Sequence, residues 1–153
     1  MPMIILVEME NEMNRIAQFS KVSKENFLAA IADDYVQFSE TEAEQMYETL
    51  SLPKRATKGS AGYDFYTPIE FALNPWETIK IPTGIRVRID ENWVLKLYPR
   101  SGLGFKFRLQ LNNTVGIIDS DYANSDNEGH IFAKITNDSK EGKEVYIEQS
   151  GGF

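Results

Sequence analysis

Hydrophobic positions follow two different periods along this chain. Residues 15–22 alternate loosely, with Ile16, Phe19 and Val22 among polar neighbours, and predict a short strand. Ser23 then stands as an N-cap ahead of Phe27, Ile31 and Tyr35, whose spacing predicts a one-sided helix. Ser39 and Glu42 form a capping-box pair. Ala43, Met46, Tyr47 and Leu50 continue behind it at helical spacing, so a second helix is predicted up to Leu50. Pro53 ends it, because the proline ring drives the residue before it out of the helical region.

Beyond Pro53 the period drops to two. Ile79 and Ile81, then Ile85, Val87 and Ile89, alternate with polar residues around a turn at Pro82, Thr83 and Gly84. Asp90, Glu91 and Asn92 predict the next turn, followed by alternation of Trp93, Leu95 and Leu97. Phe107, Leu109 and Leu111 alternate again, as do Ile131, Ala133 and Ile135 after a polar excursion over residues 123–129. Residues 137–142 read as a turn and residues 145–148 as the start of a last strand. Many short strands at this spacing predict a mainly β fold, a sandwich, jelly roll or distorted β-barrel. The division expected is an N-terminal extension of two short helices over residues 1–53 and a β domain over residues 54–153.

Charge sharpens that division. The net charge of −7 arises from ten acidic and three basic residues in 1–50, against thirteen of each in 51–153. The helical extension therefore reads as a packing or partner-contact unit, and no basic patch predicts binding to a nucleic-acid polymer. The apolar run Met3, Ile4, Ile5, Leu6 and Val7 lacks a basic flank and is too short to span a membrane. It predicts a short strand, or a stretch ahead of a start at Met13; neither a signal peptide nor a membrane partner is expected. The absence of cysteine excludes thiolate metal sites and thiol catalysis and fits a cytoplasmic location, or a host-cell cytoplasm if the source is viral. With His130 the sole histidine, a bound metal should take oxygen ligands, as Mg²⁺ does.

Candidate chemistry concentrates in residues 112–122. Asn113, Asp119, Asp121 and Tyr122 cluster where the apolar run Val115, Gly116, Ile117, Ile118 gives way to a turn. A strand end holds such groups rigidly, although Asp and Asn also serve turns through local hydrogen bonds. Pro99, Arg100, Ser101, Gly102, Leu103 and Gly104 read either as an anion-binding nest or as an ordinary surface turn. Asp64, after Gly62 and Tyr63, could serve a hard metal or bond its own loop.

Taken together, residues 60–65, 99–104 and 113–122 resemble, in order and spacing, the first three motifs of the trimeric dUTPase family. The likeness runs from about residue 54 to the end, and residues 15–50 resemble the helical extension of one subgroup. The resemblance implies a jelly-roll subunit in a homotrimer with active sites at subunit interfaces. It implies Mg²⁺-dependent cleavage of dUTP to dUMP and pyrophosphate. By the same resemblance Asp119 would hold the ribose 3′-hydroxyl and orient or deprotonate the attacking water. Asn113, with nearby main chain that includes Gly116, would read the uracil edge, and Tyr122 would lie against the deoxyribose and exclude a 2′-hydroxyl. Ser101 and the Gly102 amide would bind phosphates, Arg100 would fix its turn, and Asp64 would stand near metal-bound waters. Asp121 is expected to be structural.

Two departures stand out. Residues 123–128 intervene before Gly129, where the family turns on a glycine almost directly after the motif-three tyrosine, so a longer hairpin is expected to leave Asp119 and Tyr122 in place. Gly151, Gly152 and Phe153 reach only the start of a fourth motif, or resemble part of the fifth, and the sequence reads as interrupted. A missing tail implies weak or lost turnover in this chain. The alternatives are a non-catalytic dUTPase-like module binding a nucleotide or protein, and a dCTP deaminase on the same fold. The latter needs a glutamate base beside the Arg-Ser motif, which residues 99–104 lack. A purely structural jelly roll would not need Asn113, Asp119 and Tyr122 together.

Overall fold

The computed structural model describes residues 15–153; the strand expected at residues 3–7 lies outside them. Strand β1 (Ala17–Lys21) leads into helix α1 (Lys24–Asp34) and helix α2 (Glu40–Thr49). Both helices start where local chemistry predicts. The Ser23 hydroxyl accepts the Asn26 amide at 3.2 Å, and Ser39 and Glu42 close a full capping box. Phe27, Ile31, Tyr35, Ala43 and Met46 are buried together with Val22, ahead of the helices, and Ile69, beyond them. Strand β1 pairs antiparallel with β4 (Ile85–Ile89), so the N-terminal segment is laced into the β region by a ladder as well as by packing.

The remaining strands are β2 (Phe71–Leu73), β3 (Thr78–Pro82), β5 (Leu95–Leu97), β6 (Leu109–Leu111), β7 (Gly116–Ile118), β8 (Phe132–Asn137) and β9 (Val145–Ile147). They form small antiparallel sheets: β1 with β4, β2 with β9, β5 with β7, and β3 with β8 and β6. No closed barrel forms among the described residues. The ladders are three to five residues long and are interrupted by turns before they can continue around a cylinder. The alternation predicted the core well. Ile81, Leu109, Leu111, Ala133, Ile135, Val145 and Ile147 bury one face, and Phe65, Ile85, Val87 and Ile131 form a second cluster.

Two expectations need correction. Residues 101–107, expected as a glycine-rich turn running into a strand at Phe107, form helix α3 (Ser101–Phe107). Leu103 and Phe107, one helical turn apart, pack on the main core, and that burial outweighs the low helix propensity of Gly102 and Gly104. The helix ends on Arg108 in the left-handed region (φ 51°), whose guanidinium is held by Asp138 at 3.0–3.1 Å. Trp93 belongs to the preceding turn, its amide bonded to the Asp90 carbonyl at 2.9 Å, and only residues 95–97 continue as strand.

Candidate functional site

The β5–β7 ladder frames the candidate site. Leu95 faces Ile118, Lys96 faces Ile117, and Leu97 faces Gly116. A Cβ on Gly116 would lie 2.9 Å from the Leu97 side chain, so glycine is what lets the two strands meet. Directly after β7, Asp119 adopts an extended conformation (φ −75°, ψ 159°) at the start of a 3₁₀ helix, Ser120–Asn124. Its carbonyl accepts the Tyr122 amide at 3.2 Å, but its side chain caps nothing. The carboxylate is exposed and makes no hydrogen bond or ion pair with other described residues. A charged group on a rigid frame with no internal partner is available to a ligand.

Asn113 sits at the other end of β7, in the tight turn from β6. Thr114 there takes a left-handed conformation (φ 67°) and its amide bonds the Leu111 carbonyl at 2.9 Å. The Asn113 carbonyl accepts the Val115 amide at 2.7 Å, while its side chain is exposed. Asp121 is exposed in the first turn of the 3₁₀ helix. Tyr122 is half-buried. Its hydroxyl donates to the His130 carbonyl at 2.8 Å and accepts from Asn127 Nδ2 at 2.9 Å.

Arg100 and Ser101 follow β5 in the opposite direction. Ser101 and Gly102 are exposed in the first turn of α3, where amides have no acceptor within the helix. Arg100 Nε lies 3.6 Å from Asp64 Oδ1, and Asp64 exchanges backbone hydrogen bonds with Lys54 (2.9 and 3.4 Å). The chain's last residues run beside Phe65, Tyr66 and Thr67, and a Cβ on Gly152 would meet Arg100 Nη1 at 2.6 Å. Gly152 is thus used for a close approach to Arg100. Among the described residues no three carboxylate or histidine groups converge as a metal cage. Asp64, half-buried and beside Arg100, is a single oxygen donor, which suits a cation that keeps its waters and is carried largely by a phosphate ligand.

The structure gathers Asn113, Gly116, Asp119 and Tyr122 on one hairpin and its continuation, and Asp64, Arg100, Ser101 and Gly102 in a second group. Asn113 shares an end of the β5–β7 ladder with Ser101, while Asp119 lies at the opposite end. In the antiparallel register Ser101 lies beyond the Leu97–Gly116 end of the ladder, and Asp119 lies beyond the Leu95–Ile118 end. A groove of about 1340 Å³ reaches Asp64 and Arg100 together with Phe19, Arg55 and Tyr63, but not Asn113, Asp119 or Tyr122.

Sequence reasoning missed a polar junction behind Tyr122. The Glu128 carboxylate accepts from the Ser23 amide at 2.8 Å and its hydroxyl at 2.5 Å. These two bonds, assisted by Arg86, hold the Glu128 carboxyl below its ordinary range. His130 is fully buried. Its Nε2 accepts the Gly84 amide at 2.9 Å, so Nδ1 carries the proton and donates to Asn26 Oδ1, also at 2.9 Å. Burial pushes its pKa down to about 4; Glu128 opposes the shift and Lys80 adds to it. The one signal in the sequence was that the sole histidine fell at the end of the unusual polar excursion.

The fold and these segments agree with what is found among known proteins. A sequence model of the dUTPase family matches residues 48–149, and the chain belongs to that family. It is 43% identical over 101 residues to the deoxyuridine 5′-triphosphate nucleotidohydrolase of Lactococcus lactis, covering 65% of this chain and 66% of that protein. It is 41% identical over 98 residues to the protein of that name from Dictyoglomus turgidum, covering 61% and 63%. The chain thus spans just under two thirds of the length of these curated relatives. The crystal structure of dUTPase from Streptococcus mutans matches with a TM-score of 0.61 at 30% identity over 88% of each chain. A mutant dUTPase of Staphylococcus aureus phage phi11, described with a structural Mg(II) ion, shares the fold (TM-score 0.59, 21% identity, 90% of this chain and 87% of that one).

Proposed function

We propose that this chain supplies a subunit of a dUTP diphosphatase, with Asp119 orienting and deprotonating the water that attacks the α-phosphorus. The observation that carries this reading is the Asp119 carboxylate itself, exposed, unpartnered and fixed at the end of the β5–β7 ladder. As water adds to phosphorus, one of its protons passes to Asp119. The bond from phosphorus to the bridging oxygen breaks, and pyrophosphate leaves with that oxygen. Asn113 and the main chain around Gly116 read the uracil edge, and Tyr122 lies against the deoxyribose. Ser101 and the Gly102 amide bind the phosphates and stabilise charge moving toward the leaving group. Arg100 and Asp64 brace each other behind that turn at 3.6 Å, and Asp64 is the residue that would accept from water on a bound cation. Mg²⁺, when bound with the nucleotide, neutralises the triphosphate.

The separation of Ser101 from Asp119 at opposite ends of one ladder favours a site shared between copies of the chain. A phosphate held by one subunit then meets the water-orienting carboxylate of another, in a homotrimer. The test is pyrophosphate release from dUTP with Mg²⁺ by the chain and its Asp119→Asn variant. Turnover lost in the variant supports the reading. No turnover in either, with dUTP still bound, would replace it with a nucleotide-binding module.

A further inference from the structure

The excursion over residues 123–128 leaves the body of the fold and returns to Tyr122. Gly129, in the left-handed region (φ 74°), rests on the Tyr122–Ala123 backbone so closely that a Cβ there would lie 2.7 Å from Ala123 Cα. The return brings two groups onto the phenol. Asn127 Nδ2 donates to the Tyr122 hydroxyl and the His130 carbonyl accepts from it. A phenol has one proton to give, and here its oxygen also accepts from Asn127. With the hydroxyl engaged on both sides, Tyr122 meets a ligand through its ring.

Each clamp is itself fixed. Asn127 Oδ1 accepts the Gly129 amide at 3.1 Å and lies 2.7 Å from the Ser125 hydroxyl. The His130 amide donates to the Asn127 carbonyl at 3.0 Å, while its ring is held between Gly84 and Asn26 of α1. The helical unit and the Tyr122 ring are thus ends of one hydrogen-bonded chain.

We propose that Asn127 is a positioning residue for sugar discrimination: with the His130 carbonyl, it fixes the Tyr122 ring at the place where a 2′-hydroxyl would have to fit. This rests on the reading of Tyr122 as the residue against the deoxyribose. Exclusion by shape depends on placement to a fraction of an ångström, so a ring freed on one side tolerates the extra oxygen. The polar excursion is then a brace for selectivity, with α1 as its anchor.

The test measures kcat and KM for dUTP and for UTP, with Mg²⁺, in the full chain and in Asn127→Ala, Tyr122→Phe and the double variant. Loss of one such hydrogen bond should lower the dUTP-to-UTP ratio of kcat/KM about tenfold in Asn127→Ala. Most of the change should lie in a lower KM for UTP, which a general loss of stability would not produce. Tyr122→Phe keeps the ring and opens no cavity, but it removes the bonds to both Asn127 and the His130 carbonyl, so it should lower the ratio at least as much. The double variant should fall no further than Tyr122→Phe, because that change already removes the bond to Asn127. An unmoved ratio in a folded Asn127→Ala, or losses that multiply in the double variant, would overturn the proposal. Where wild-type turnover is too low to measure, equilibrium Kd values for dUTP and UTP give the same ratio, and a wild type that binds the two alike overturns the reading of the site, and this inference with it. A selective wild type with an unmoved variant overturns only the inference.

Discussion

Two stretches a few residues apart use their polar groups in opposite ways. Around Asn113 and Asp119 the backbone is pinned by the β5–β7 ladder and a tight turn, while both side chains stand exposed without partners among the described residues. Around Glu128 and His130 the polar groups are spent on one another and on α1, with His130 wholly buried. Both stretches are rich in residues that sequence patterns associate with chemistry. Groups that satisfy each other stabilise the fold, whereas rigidly held groups left unsatisfied at the surface await a ligand. The comparison supports the proposed role of Asp119 in chemistry and shows the sole histidine serving the architecture.

The largest expected effect separates the two stretches directly. Asp119→Asn should lower kcat by about 10²–10⁴-fold, the usual worth of a positioned base. Because the carboxylate has no internal partner, the urea midpoint should move by only about 0.5 kcal/mol equivalent. A large stability loss alongside the activity loss would mean that Asp119 is structural. Gly129→Ala should behave in the opposite way. A left-handed glycine packed against backbone cannot accept a Cβ without moving the Tyr122 turn, so stability should fall by about 2–4 kcal/mol. A thermal melt coinciding with wild type would show that the turn relaxes freely.

Much of this was legible in the sequence where the determinants are local. The Ser39–Glu42 capping box, the Ser23 cap and the alternation of Leu109 with Leu111 each specify their own structure within a few residues. Helix α3 was not legible as read, because glycine and proline dominate local propensity at residues 99–104. The decisive term there is burial of Leu103 and Phe107 against strands remote in sequence. Their spacing of four was the available signal. The Ser23–Glu128 and Asn26–His130 contacts bridge more than a hundred residues, and no periodicity encodes such a pairing. The candidate residues were visible as types, but their division between the two ends of one ladder required the register.

His130 gives the next effect in size. In the folded chain its pKa lies near 4, below the ordinary 6.5, because burial disfavours the charged ring. Protonation would also set an Nε2–H against the Gly84 N–H. Glu128 and Lys80 face it with opposing charge, and Phe27 and Phe132 contribute only apolar surface. Between pH 4 and 6.5 the unfolded chain binds a proton that the folded chain refuses. The stability present above pH 6.5 is therefore lost progressively as pH falls toward 4, by on the order of 3 kcal/mol in total. Urea midpoints at pH 4.5 and 7 should differ accordingly in wild type and much less in His130→Gln. Equal slopes in the two would place the acid sensitivity elsewhere.

The smallest effect tests whether α2 depends on its own cap or on the junction next to it. The Ser39 hydroxyl accepts the Glu42 amide at 3.3 Å, while the Glu42 carboxylate accepts from the Ser39 amide at 2.8 Å and from the Ser39 hydroxyl at 2.7 Å; the two bonds to the carboxylate hold it below its ordinary range. Ser39→Ala removes both bonds of the hydroxyl, leaves the one from the Ser39 amide, and should cost about 1 kcal/mol. The cap is exposed and lies far along the chain from the residues proposed to bind nucleotide, so the dUTP-to-UTP ratio should not move. Asn26→Ala, by contrast, touches His130 and should shift that ratio in the direction of Asn127→Ala. If Ser39→Ala shifted it as well, the helical unit would act on Tyr122 through its overall docking, and the hydrogen-bonded route through His130 would be unnecessary.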